Sequence, residues 1–414
     1  MNLLDLIYVP LGVLSAPLWA RKKRNGWGER FGRVEHMLRH KPGHGLRVML
    51  HAVSVGEVNA LRALVDRLVE DPKIECVIVS TTTDTGLARA KMLFGECCEV
   101  VRYPLDCSWM VRRFLDAVQP SVIGLVELEV WPNFVKLSVR RDIPVCVING
   151  RLSARSFKGY RKIRPLLKRT FARLRVCCVQ DEEYAERFRA MGAKDVRVTD
   201  SMKWDSVDTQ RAAGGATDRA YSIALAMGLD LTKPILVAGS TGPGEEALLH
   251  AACPEGAQLV CAPRKPERFD EAAAAMPGCV RRSAEMPAPS GTVRFLLDTI
   301  GELSSVYELA DVVVVGRSFG DLYGSDPIEP AALGKPVVIG PSHSDFETAV
   351  RALLKADAIS VADRDGLRKE LVRLFRHPAG GKTMGERAQA CVRTHQGATG
   401  RHHALLVELG GTAG

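Results

Sequence analysis

Several polar residues fall just where an apolar run ends, the position at which a parallel sheet presents its chemistry. In HAVSVGE, residues 51–57, an apolar stretch gives way to small residues, Gly56 and a lone glutamate, Glu57. A carboxylate there can accept a proton, or it can cap the amphipathic helix that follows. Glu127 and Glu129 end the run VIGLVELE, and Asn149 and Arg151 end VCVINGR. In the second half Arg264 follows an apolar run in APRKPER, and Gly301 and Glu302 stand at a helix start in DTIGEL. Asp326 and Glu329 fall in the first turn of a helix in YGSDPIEPAALG, where unpaired N–H groups favour an acid as a cap or as a partner for ribose hydroxyls. Any one of these is more often a cap or a satisfied loop residue. Their concurrence at strand ends points to glycosyl transfer, with carboxylates to take a proton and cations to hold a phosphate.

Other motifs fail on spacing. GSTGPGEE (239–246) has the glycines of a phosphate loop, but Glu245 stands where the phosphate-binding lysine belongs. GWGERFG lacks the third glycine spacing of a dinucleotide fingerprint and follows no strand. His36 and His40 can share a helix face, yet no third ligand follows, so no metal site is expected. The eleven cysteines show no C-x-x-C spacing and lie mostly in apolar runs such as RVCCVQ, which reads as reduced thiols behaving as small hydrophobes.

These residues need a sheet to carry them. RVMLHAV, IECVIVST, SVIGLVE, IPVCVIN and RVCCVQ read as buried strands, each followed by a helical pattern. A second series runs PILVAGST, AQLVCAPR, TVRFLLDT, DVVVVGRS and PVVIGPS. Between them lies the polar, small-residue stretch VDTQRAAGGATDRA. Apolar strands alternating with helices mean parallel sheets covered on both faces. The expected fold is α/β: two doubly wound Rossmann-like domains facing a cleft, over residues 21–206 and 226–414, joined by a linker at 207–225. At 414 residues two cores are expected in any case.

The charge is lopsided. Residues 1–205 carry 35 Lys and Arg against 23 Asp and Glu, a net of +12, while the remainder nets −3. Ten basic residues and no acid fall within 151–175. Such a half suits a polyanionic partner: nucleic acid, anionic lipid or a phosphorylated substrate. Nucleic acid is disfavoured, since only Phe157, Tyr160 and Phe171 interleave the basic run and no known binding module appears. Residues 1–20 are apolar and are followed by RKKR, an order that favours membrane attachment with the next domain on the cytoplasmic side. Asp5, Pro10, Gly12 and Pro17 argue against a continuous spanning helix.

The chain resembles the bacterial 3-deoxy-D-manno-octulosonic acid (Kdo) transferases of lipopolysaccharide synthesis nearly from end to end. WGERFG, HAVSVGE, ELEVWPN, NGRLSARSFKGY, VTDSMKWD, APRKPER, DTIGEL and DPIEPAALGKPVVIGP carry the likeness. The resemblance implies the GT-B glycosyltransferase architecture. It further implies transfer of Kdo from CMP-Kdo to the phosphorylated lipid A precursor at the cytoplasmic side of the inner membrane, with no metal and no cofactor beyond the donor. By motif, Glu57 matches the general base, and Glu127 and Lys203 match positions that stabilise the transition state. Pro263 and Arg264, then Ile300, Gly301 and Glu302, then Asp326, Pro327, Ile328 and Glu329 match the CMP-contacting segments. The chain departs from the family where Tyr323, Ser325 and Asp326 replace Gly, His and Asn, and where Arg317 interrupts a double glycine in VGRSFG. Another GT-B enzyme using a different sugar nucleotide shares the architecture. A sugar-nucleotide epimerase of the same fold would need no anchor or basic face, and a non-catalytic membrane-surface protein would need neither Glu57 nor Arg264.

Overall fold

Runs of Val, Ile, Leu and Cys without a charged interruption need burial on both faces, and parallel strands sandwiched by helices provide it. The computed structural model describes Asp5 and residues 26–35, 38, 45–207, 209, 215–284 and 288–412. The chain divides into two units, one formed by residues up to Ser206 together with those from Gln396 onward, the other by Val207–His395.

The first unit holds strands β1 (Leu46–His51), β2 (Ile74–Thr81), β3 (Glu99–Arg102), β4 (Val122–Val126), β5 (Val145–Gly150), β6 (Val176–Val179) and β7 (Val196–Val198). They form one parallel sheet in the order β3-β2-β1-β4-β5-β6-β7. Phe114, Phe134, Phe171 and Phe188 pack one face, and Val58, Leu64, Leu68 and Phe94 pack the other. Strand order reverses between β1 and β4, which opens a crevice at their C-terminal ends.

The second unit repeats the plan with β8 (Ile235–Thr241), β9 (Gln258–Pro263), β10 (Val280–Arg281), β11 (Arg294–Leu296), β12 (Val312–Val315), β13 (Val337–Ile339) and β14 (Ser360–Val361). Its order is β10-β11-β9-β8-β12-β13-β14, so the reversal falls between β8 and β12. The two strand ends approach so closely there that a Cβ on Gly316 would lie 2.6 Å from the Thr241 Cα. Only glycine fits.

Two expectations change. The C-terminal helix Ala398–Gly411 belongs to the first unit, where Leu405, Leu406 and Leu409 join the core beside β1 and β4; a domain running unbroken over 226–414 is therefore corrected. The linker expected over 207–225 overlaps the helix Asp218–Met227, whose Ala220, Ile223, Ala224 and Met227 are buried in the second unit. The 1–20 segment lies outside the described residues except for Asp5, as do His36 and His40. Asp5 is fully buried: its carboxylate accepts the Ser108 N–H at 2.9 Å and the Ser108 hydroxyl at 2.5 Å, at the start of the helix Ser108–Val118. Among the described residues no helix is long and apolar enough to cross a membrane. All eleven cysteines are free.

Candidate active site

In the first unit, β1 leads through residues 52–54 into the helix Val55–Ala60. The Ser54 Oγ accepts the Glu57 N–H at 3.3 Å, while Glu57 takes the Ser54 hydroxyl on Oε1 at 2.8 Å and the Val53 N–H on Oε2 at 2.9 Å. This reciprocal capping pattern fixes the carboxylate. A carboxylate offers about four lone-pair sites, so a half-buried Glu57 keeps capacity for a further hydroxyl.

Across the strand reversal, Glu127 follows β4 with φ 57°, an uncommon left-handed backbone for a residue with a side chain. Its N–H donates to the Ile148 carbonyl at 3.1 Å. Burial pushes the Glu127 carboxyl above its ordinary range; the charge of Glu57 adds to the rise, Arg151 and Lys203 oppose it, and Glu129 adds a little more. Burial raises Glu129 as well, opposed by the Trp131 indole N–H that it accepts at 2.9 Å and assisted by Glu57. The structure thus gathers Glu57, Glu127, Glu129, Arg151 and Lys203 into one electrostatic cluster at the ends of β1, β4 and β5.

Lys203 sits on a single 3₁₀ turn, Met202–Ser206, whose placement depends on Asn149. Asn149, at φ 50°, accepts the Met202 N–H on Oδ1 at 3.1 Å and the Gln180 side-chain N–H on its carbonyl at 3.1 Å. Its own N–H donates to His402 Nε2 at 3.3 Å. His402 comes from the C-terminal helix and is fully buried, which, with the Arg401 charge, pushes its pKa down to about 4 against the pull of Asp205. A neutral ring is what an accepting Nε2 requires. His51, at the end of β1, is also neutral: burial lowers it to about 3, and its ring stacks on Tyr103 at 3.8 Å.

In the second unit, Arg264 follows Pro263 at the end of β9, and its N–H donates to the Thr241 carbonyl at 3.1 Å. Its exposed guanidinium makes no hydrogen bond or ion pair among the described residues, whereas Arg268 of the same motif grips the buried Glu246 at 2.9 and 3.0 Å. Asp326 caps the helix Ile328–Ala332 by accepting the Ile328 N–H at 2.9 Å, and Pro327 and Ile328 are buried behind it. Tyr307 ties these residues together. Burial, then Glu329 and Asp326, push its phenol well up, and Arg264 opposes them. The segment Ile300–Glu302 leaves β11, the strand beside β9. Its Ile300 is exposed, its Gly301 has φ 85°, and its Glu302 is paired with Arg282 at 3.1 Å and hydrogen-bonded to the Thr299 hydroxyl.

Sequence reasoning missed two supports. His402 gave no signal, because nothing in its segment says which sheet the last helix covers. Glu245 was read only as a missing lysine, although it follows β8 as Glu57 follows β1. Its carboxylate accepts four backbone N–H groups: Gly242 at 2.7 Å, Arg317 at 2.6 Å, Ser318 at 2.8 Å and Phe319 at 3.0 Å. Among the described residues no group of three or more His, Cys, Asp or Glu is arranged to hold a metal ion.

A family model described as 3-deoxy-D-manno-octulosonic-acid transferase (kdotransferase) matches residues 25–206. A 3-deoxy-D-manno-octulosonic acid transferase of Bordetella pertussis is 32% identical, the match covering 93% of this chain and 93% of that protein. One from Haemophilus influenzae is 29% identical over 87% and 86%. Among solved structures, Anabaena HepE in complex with UDP has a TM-score of 0.62 at 12% identity, covering 88% of this chain and 99% of that one. MurG of Acinetobacter baumannii has a TM-score of 0.57 at 13% identity, covering 88% and 100%. Both share the GT-B fold of two parallel-sheet α/β domains with this chain.

Proposed function

This chain belongs to the 3-deoxy-D-manno-octulosonic acid (Kdo) transferase family, a family of glycosyltransferases, and on that premise we propose that it moves Kdo from CMP-Kdo to a hydroxyl of the phosphorylated lipid A precursor, lipid IVA. The observation that carries the reading is the cluster of Glu57, Glu127 and Glu129 with Arg151 and Lys203 at the strand reversal of the first unit. Glu57 takes the proton of the acceptor hydroxyl as its oxygen bonds the anomeric carbon of Kdo. The bond from that carbon to the phosphate oxygen breaks, and CMP leaves with the electron pair. Lys203 and Arg151 offset the acids around the developing charge, and Glu127 stays poised between them. Arg264, Asp326 and Glu329 gather around Tyr307 in the second unit, which takes the donor nucleotide. The reaction runs without a metal and at the cytoplasmic side of the inner membrane.

The test is transfer itself. Purified protein with CMP-Kdo and tetra-acylated lipid IVA in vesicles is expected to yield the acceptor heavier by one or more Kdo units, read by mass spectrometry. Glu57→Gln keeps the size of the side chain and an accepting oxygen, so a residue that only caps its helix would lose about 1 kcal/mol of stability and little activity. As the base, Glu57 is expected to cost about 10²–10⁴-fold in turnover when replaced, with CMP binding intact. Near-normal transfer by Glu57→Gln would send the assignment of the base to Glu127 or Glu129.

A further inference from the structure

The strand reversal of the second unit carries a charge that the family pattern does not supply. Doubly wound sheets hold anionic ligands at this crevice, commonly on backbone N–H groups. Here those donors are taken. The N–H groups of Gly242, Arg317, Ser318 and Phe319 all point at the Glu245 carboxylate, which is only 2% exposed as a residue. A phosphate arriving between β8 and β12 meets a fixed negative charge and none of those four N–H groups free.

Arg317 stands two residues after the end of β12 at this spot, with φ 58°, in a backbone region that favours glycine. The backbone of Arg317 is pinned on both sides, its N–H to Glu245 at 2.6 Å and its carbonyl to the Gly324 N–H at 2.9 Å. A glycine would make both bonds without strain, so the loop does not need the side chain. That side chain is half-exposed and runs over the β8 loop, its Cγ 3.4 Å from where a Cβ on Gly242 would lie. Its guanidinium makes no hydrogen bond or ion pair among the described residues. Beside Gly324, the hydroxyl of Ser325 is buried without a hydrogen-bond partner. A strained backbone position with an unused cation at the crevice is the arrangement expected of a binding residue.

We propose that Arg317 binds the phosphate of the donor nucleotide, giving this chain a charged phosphate contact in place of a glycine. The inference rests on the reading of the second unit as the nucleotide unit. In a CMP-linked sugar the phosphate is a monoanionic diester; when the sugar–oxygen bond breaks it leaves as a monoester that carries a second negative charge near neutral pH. A guanidinium at this site therefore gains attraction as the bond breaks, in part replacing the N–H donors that Glu245 occupies.

The full-length protein and two variants, Arg317→Gly and Arg317→Lys, are titrated by calorimetry with CMP and with uncharged cytidine, alongside melting temperatures and steady-state kinetics. Arg317→Gly is expected to weaken CMP about tenfold and raise the KM for the CMP-linked donor, while cytidine affinity and the acceptor KM stay within about twofold. Its melting temperature is expected to hold or rise as the strain is relieved. Arg317→Lys should recover part of the loss. If the wild type binds CMP and Arg317→Gly binds it equally well, or if cytidine is weakened as much as CMP, or if the melting temperature falls, the proposal is overturned. If the wild type itself binds no cytidine nucleotide, the donor reading fails first and Arg317 with it.

Discussion

Glu57 and Glu245 are the same residue type in matching positions, and their surroundings give them different work. Each follows the first strand of its sheet and accepts a loop N–H. Glu245 is sealed by four backbone donors, whereas Glu57 has two partners and faces other acids. Glu127 bears the cost of this setting, chiefly through its burial and then through the charge of Glu57. Because its folded pKa is raised, the protonated form is favoured; the associated stability is fully present below the unfolded value and lost as pH rises through the raised value. Replacement by Gln removes the charge penalty, so Glu127→Gln is expected to be more stable than wild type near pH 7, on the order of 1 kcal/mol. Chemical denaturation from pH 7 downward should show the advantage shrinking as wild-type Glu127 takes up its proton. Transfer activity should fall in the same variant, by about 10²-fold if Glu127 acts on the reacting charge. A variant both active and no more stable would remove Glu127 from the cluster's chemistry.

The elements were legible where burial is two-sided. Ten apolar runs became ten central strands, while β3, β7, β10 and β14 went unread, and these are the outer strands of the two sheets. An edge strand pairs on one side only and can be as short as the two residues of β10 or β14, too short to leave a pattern. The strand-end positions of Glu57, Glu127 and Arg264 and the helix-start position of Asp326 followed from the sequence pattern, but the supports did not. Asn149 needed the last helix of the chain, and its partner lies 253 residues away. That helix is held at its start by Asp205, which accepts the N–H groups of Gly397 and Thr399 at 2.6 Å each. The turn that carries Lys203 and the helix that carries His402 thus brace one another. His402→Leu leaves the Asn149 N–H buried without an acceptor, a loss of about 1–3 kcal/mol. Turnover should drop with it while the CMP affinity of the other unit is unchanged; a variant destabilised yet fully active would make His402 a packing residue alone.

At the scale of the whole molecule, the charge asymmetry has a location. Arg155, Lys158, Arg161, Lys162, Lys168 and Arg169 lie exposed along the helices Ala154–Lys162 and Arg164–Phe171, with no acid among those residues and with Ile163 and Leu166 exposed at 48% and 65%. Basic groups around exposed aliphatic side chains suit an anionic lipid surface, where each contributes about 1 kcal/mol within a Debye length. Among the described residues Arg155, Lys158, Arg161, Lys162 and Lys168 make no ion pair, so their charges are available to a partner. Arg161→Gln with Lys162→Gln is therefore expected to keep the melting temperature and the CMP affinity, and to weaken binding to vesicles containing anionic lipid by roughly 30-fold, the equivalent of about 2 kcal/mol. Raising the salt should weaken the wild type toward the double variant, since exposed charges are screened. The KM for a lipid-borne acceptor should follow vesicle binding, and that for CMP-Kdo should not. Vesicle binding that ignores both salt and the double substitution would put membrane contact elsewhere on the chain and leave these helices as a solvated face.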